Sequence, residues 1–164
     1  MLEAESGLTI SSPDFEPGDP APKDLTCDGK SVLPTLEWAG PLPANGKELA
    51  LTLTDQTNPN EPLLLWLVAG LSPSTTQVNA GLVPDDAVET LNDYGKSGFG
   101  DPCIEADSAG KDLQFRLHVL SAESGIKADA PGNEAYDQVT SLSIDSTAIL
   151  VKLDSSVALA AGTD

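Results

Sequence analysis

The sequence predicts an all-β fold with a minor helical part, arranged as a single-domain β-sandwich, and three observations carry that expectation. Short apolar stretches recur along the chain, either alternating with polar residues or continuous, and turn residues separate them. The 14 glycines and 13 prolines supply many breaks, which suits short strands better than long helices. Helical spacing of any length is confined to residues 133–142, where Tyr136 and Val139 stand at i and i+3. A chain of 164 residues is long enough for one domain with a full hydrophobic core. The domain is expected at 7–154, with 1–6 and 155–164 as loose tails.

Taken in order, residues 7–12 read as a first strand, because Leu8 and Ile10 alternate with Thr9 and Ser11. Ser12-Pro13 ends it, and Pro17-Gly18, Asp19-Pro20 and Asp28-Gly29 make 14–30 loop and turn. A short strand follows at 33–38, with Leu36 and Trp38 on one face. Asn45-Gly46 turns into a strand at 48–55, whose Leu49, Leu51 and Leu53 face one way. The run 63–71 is apolar on both faces and so belongs inside the fold. Residues 75–84 read as a mixed connector. The cleanest period of two lies at 111–121, where Leu113, Phe115, Leu117 and Val119 alternate with Gln114, Arg116 and His118. A last strand is expected at 148–153.

Composition narrows the functions available. With 26 acidic and 8 basic side chains the chain carries a formal charge of −18. Phosphate backbones need a basic surface, so nucleic acid is excluded as a partner, and an anionic membrane would repel the chain. The acidity reads as a solubility trait of a secreted or salt-exposed protein, or else as an acidic binding face. The longest apolar run is about half the ~20 residues that a membrane helix needs, so no transmembrane segment is expected. Residues 1–7 lack the positive start and apolar centre of a signal peptide. The expected location is periplasmic or secreted rather than cytoplasmic, with any signal peptide absent from this chain. Oligomeric state has no signature in the sequence.

The residues 91–103, Leu-Asn-Asp-Tyr-Gly-Lys-Ser-Gly-Phe-Gly-Asp-Pro-Cys, form neither helix nor regular strand. Gly95, Gly98 and Gly100 permit positive φ, and Pro102 sets the exit direction. Exposed amides in such a loop can form an anion-binding concavity. The alternative is an ordered crossing loop of an all-β domain. Cys27 and Cys103 allow one internal pairing; they are either a disulfide or two free thiols of a reducing compartment. His118, the single histidine, points away from the apolar side of its strand and reads as a surface or edge residue. No phosphate loop, dinucleotide fingerprint or EF-hand order occurs. No cofactor, no metal and no catalytic residue are therefore expected.

The order of motifs resembles the phosphatidylethanolamine-binding protein family, in its bacterial and archaeal Raf-kinase-inhibitor-like branch. The resemblance rests on Ser12-Pro13-x-Phe15, on Thr26-Cys27-Asp28-Gly29 with Pro34 and Trp38, and on the Leu-rich strand ending at Asp55. It continues through Trp66, Asn92-Asp93, Gly95, Gly98, Gly100 and Pro102-Cys103. The resemblance implies a Greek-key sandwich and a small pocket for a phosphate-like head group. Its members line that pocket with an Asp-Pro-Asp-x-Pro loop, a His-Trp strand, a Gly-x-Gly-x-Pro loop and a His-Arg-Tyr strand start.

Carried over by position, the implied ligand-binding residues are Asp55, Trp66, Gly98, Phe99, Gly100, Pro102 and Lys111. The departures are as informative. Gln56 and Thr57 replace the proline and second aspartate of the first loop, Leu65 stands in the histidine position, and Lys111-Asp112-Leu113 replaces His-Arg-Tyr. An imidazole donates hydrogen bonds to phosphate; leucine cannot. Lys111 is either a cation at the pocket edge or a solvated strand start, and Asp55 either a ligand group or a turn residue. The expectation is a non-enzymatic binding protein with a weakened anion pocket and a small anionic ligand. The alternative is a protein–protein interaction module, or an inhibitor of a protease or kinase, with a protein partner.

Overall fold

The computed structural model describes residues 8–13, 15–16, 33–56, 60, 62–79, 83–84, 87–99 and 111–153, with Lys111 and Leu153 described by backbone alone. In chain order the elements are β1 (Thr9–Ser11), β2 (Leu36–Ala39), β3 (Glu48–Asp55), β4 (Leu63–Leu71), β5 (Gln77–Val78), β6 (Val88–Glu89), β7 (Lys111–Leu120), α1 (Gly132–Leu142) and β8 (Ser143–Leu153). They build a three-stranded sheet, β1-β2-β5, and a five-stranded sheet, β6-β4-β3-β7-β8, both antiparallel.

The alternation on β3 and β7 decides how these layers stack. Leu49, Leu51 and Leu53 of β3 and Leu113, Phe115, Leu117 and Val119 of β7 share one face and pack against Ile10, Leu36, Trp38 and Val78 of the smaller sheet. That is the sandwich core. On the opposite face Ala50, Leu64, Leu67, Ala69 and Leu120 pack against Ala135 and Val139 of α1. The centre of the larger sheet is thus covered on both sides, which is why β4 reads as continuously apolar.

A plain alternating strand could not serve both cores with the sequence of β4. Leu53 pairs with Trp66 and Thr54 with Leu64, so Leu65 is an extra residue, and the bulge turns both Leu65 and Trp66 into the sandwich core. A second register shift falls near Gly70, which takes a positive φ of 83°. Its amide donates to Glu48 Oε2 at 2.8 Å. The same carboxylate, 6% exposed, accepts from Ser124 N at 2.9 Å and Ser124 Oγ at 2.7 Å. One buried acid therefore joins the start of β3, the bend of β4 and the connection to α1.

Several boundaries differ from the sequence expectation. The first two strands are shorter, and β2 is shifted towards Ala39. The connector at 75–84 contains β5, held where Trp38 Nε1 donates to Thr75 O at 2.8 Å. β8 begins at Ser143, directly after α1, rather than at Ala148. Its first half, Ser-Ile-Asp-Ser-Thr, has weak strand patterning, and pairing with β7 over its whole length supplies the order instead.

α1 begins without a side-chain cap, after Pro131. Its first residue lies hard against the neighbouring loop: a Cβ on Gly132 would collide with Leu91 O and come within 3.1 Å of Leu64 Cδ2. Leu91 N donates to Ala130 O at 3.0 Å and Asp129 N to Glu89 O at 3.1 Å, so the approach is fixed from both sides. Alanine is intrinsically the better helix former by about 1 kcal/mol. Gly132→Ala should nevertheless destabilise the chain by about 1–3 kcal/mol through overpacking, read as a lower urea midpoint.

Candidate functional site

Strand alternation and the β4 bulge assemble the candidate site at one end of the sandwich core. Asp55 closes β3, paired with Leu63 on one side and Leu113 on the other, and is 6% exposed. It has the parity of Leu53, so it shares the sandwich face with Leu65, Trp66 and Leu113. Leu65 and Leu113, at the two positions where the family pattern has histidine and tyrosine, are 1% and 0% exposed. They are part of the core.

Trp66 is fully buried, and its indole needs an acceptor there. It finds one in Glu89, whose Oε2 lies 2.7 Å from Trp66 Nε1. Glu89 sits on β6 opposite Val68. The sequence held no sign of it, since a lone glutamate before a turn has no pattern; only the β4–β6 pairing reveals it. Gly98 closes over the same carboxylate. It takes a φ of 86°, and a Cβ there would stand 3.4 Å from Glu89 Oε1. Phe99 is half-buried against the sandwich core.

The described part of the glycine loop is laced to itself and to β4. Asn92 is its organiser: Nδ2 donates to Gly98 O at 3.0 Å, while Oδ1 accepts from Tyr94 N at 2.9 Å and Lys96 N at 3.3 Å. Asn92 N donates to Lys96 O, Asp93 N to Leu64 O, Gly95 N to Asn92 O and Gly98 N to Thr90 O, at 2.8–3.0 Å. Asp93 Oδ2 accepts in turn from Leu64 N at 2.7 Å. Of the two readings of this loop, residues 92–98 have the bonding of an ordered loop rather than of a row of free amides. Apart from Ser97, their amides are already given to protein oxygens.

Gly100, Pro102, Cys27 and Cys103 lie outside the described residues, and with them the expected pairing of the two cysteines. Lys111 opens β7 opposite Leu153. The next residue, Asp112, forms an exposed ion pair with Lys152 at 2.8 Å.

His118 is a correction. It does point away from the sandwich core, as its strand parity requires, but it is 3% exposed rather than at the surface. α1 and the first residues of β8 cover that face. Its Nε2 lies 3.2 Å from Thr52 Oγ1 and its Nδ1 3.4 Å from Ser143 Oγ. Desolvation by burial, followed by the charge of Arg116, lowers its pKa from 6.5 to about 4, so it is neutral at physiological pH. Arg116 belongs to the same face, donating from Nη1 to Ser146 Oγ at 2.7 Å. The single imidazole and the single guanidinium of the chain thus sit across the sheet from Asp55 and Trp66.

Two packed antiparallel sheets, a helix on the outer face of the larger one and a glycine loop beside an aspartate and a tryptophan define a small β-sandwich domain with its candidate site at one end of the core. The chain belongs to the phosphatidylethanolamine-binding protein family, whose profile matches residues 11–153. A UPF0098 protein of Mycobacterium tuberculosis is 33% identical over 124 residues, covering 74% of this chain and 59% of that protein. The chain therefore spans less than two thirds of that relative. LppC of the same organism, named as a candidate lipoprotein, is 31% identical over 136 residues, covering 83% of this chain and 67% of LppC. The crystal structure of Escherichia coli YbcL superimposes with a TM-score of 0.82 at 21% identity, covering 90% of this chain and 98% of that one, and so shares the fold.

Two outcomes follow from these contacts. Glu89→Ala leaves the buried Trp66 indole without its acceptor and should cost about 1–3 kcal/mol in urea denaturation, whereas Glu89→Gln, which keeps an acceptor oxygen, should cost much less. For His118 the folded pKa is depressed, so its contribution is complete above 6.5 and is lost as the pH falls towards about 4. The stability difference between the native chain and His118→Gln should shrink by about 3 kcal/mol across that window, as denaturation at stepped pH would show.

Proposed function

We propose that this domain is a non-enzymatic binding module of the phosphatidylethanolamine-binding type, whose inherited anion pocket has lost most of its affinity for phosphate-like head groups. One observation carries the reading: among the described residues, the groups that could receive an anion are replaced or, apart from the Ser97 amide, already committed. Leu65 and Leu113 are buried hydrocarbon. The amides of Asn92, Asp93, Tyr94, Gly95, Lys96 and Gly98 are bonded within the protein.

Charge supports the same reading. Asp55 and Glu89 bring two carboxylates to this face, while Arg116 and a neutral His118 stand on the other. A dianionic phosphate would meet repulsion with few donors to offset it. Within this reading the residues left to touch a ligand are Asp55, Trp66, Gly98, Phe99, Gly100, Pro102 and Lys111. A periplasmic or secreted location belongs to the proposal as well, supported by the naming of LppC as a candidate lipoprotein, and cell fractionation tests it.

Titration calorimetry with inorganic phosphate and O-phosphoethanolamine should show no saturable binding tighter than about 1 mM. A micromolar complex that Asp55→Ala abolishes would overturn the weakened-pocket reading and restore a working anion site.

A further inference from the structure

On the helix side of the larger sheet, across from Asp55 and Trp66, lies a cleft of about 140 Å³ between α1, the end of β4 and the turn at 92–96. Leu64 and Pro62 form an apolar floor, and Thr54, Asp93, Tyr136 and Asp137 stand around it. We propose that this cleft is a second binding site, for a small organic ammonium ion.

Carboxylates alone would make only another acidic patch on a chain of charge −18. Here they border a concavity with an apolar floor and an aromatic wall. A methylated ammonium ion needs that combination: hydrocarbon for its methyl groups, an aromatic ring for the cation and carboxylates to balance the charge. Among the described residues, no basic side chain lines the cleft. Its volume is well below the ~300–1,000 Å³ of sites for drug-sized ligands, so it suits a compact head group.

The walls are built in advance. Asp93 is held by a reciprocal pair of bonds, its Oδ2 accepting from Leu64 N at 2.7 Å and its amide donating to Leu64 O at 2.8 Å. Tyr136 packs against the buried cluster under α1. The start of α1 is fastened to the loop by Leu91 N donating to Ala130 O and by the close seat of Gly132. A cation arriving there would need little rearrangement of the protein, which favours binding by a small ligand with few contacts.

The test is a proton–nitrogen NMR titration of the full chain with choline chloride and with 3,3-dimethyl-1-butanol, its uncharged isostere, at matched ionic strength. Choline should give saturable shifts confined to the amides of Leu64, Asp93 and residues 133–137, and the isostere should bind at least tenfold more weakly. Asp137→Asn and Tyr136→Leu should each weaken choline about two- to tenfold, while the distant Glu123→Gln leaves it unchanged. Asp137 is exposed, so its variant remains informative if Tyr136→Leu unfolds. Non-saturating shifts spread over the acidic surface, equal binding of the isostere, or indifference to Asp137→Asn would each overturn the proposal.

Discussion

Burial of β3 and of the middle of β4 on both faces is the constraint from which the other features follow. β3 along its whole length and β4 from Leu64 to Ala69 lie buried between a sandwich core and a helix. Each large apolar side chain withdrawn there contributes roughly 1.5–3 kcal/mol, offset in large part by the entropy of ordering the chain. Two register shifts let β4 turn Leu65 and Trp66 one way while Leu64 and Leu67 turn the other. The demand extends to polar groups. Glu48 takes three hydrogen bonds from Gly70 and Ser124, and Trp66 takes Glu89 as its acceptor. His118 sits neutral between Thr52 and Ser143.

The same constraint divides the chemistry between the two faces. Strand parity puts Asp55 with the sandwich core, and it puts Arg116 and His118 beneath the helix side. A two-residue period allows no compromise, because a side chain that points to one face is unavailable to the other. On the sandwich face stand Leu65 and Leu113, at positions where the family resemblance leads one to expect histidine and tyrosine. What remains is a loop whose described amides serve Asn92 and the backbone around it. Gly98 is explained by that packing: it needs its positive φ and stands over the Glu89 carboxylate.

Much of the fold could be read in advance where a single strand carried its own evidence of burial. β3 and β7 are apolar on a period of two and β4 is continuously apolar, and their spans in the structure follow these patterns closely. The motif order from Ser12-Pro13 to Asn92-Asp93 pointed to the family, and the family match agrees. The candidate site was legible only in part. Asp55, Trp66 and Gly98 could be aligned to the family pattern, but Glu89 could not, because its role comes from a partner on β4 that is distant in sequence. His118 was misplaced for a related reason. Its strand has one polar face, which on a lone strand means solvent, and only α1 and β8 convert that face into interior.

The sequence by itself determined which residues alternate, which face the side chains of β3 and β7 share, and that Leu65 stands where the family resemblance leads one to expect histidine. Those are local properties, set by the pleat of the strand and by residue identity. Tertiary structure alone decided what covers each face. It brought Glu89 to Trp66, assigned the loop amides to internal acceptors, closed α1 over His118 and left a cleft between Tyr136 and Asp93. Each of these depends on strand order and on the docking of one element against another, and a period along the chain carries no information about that.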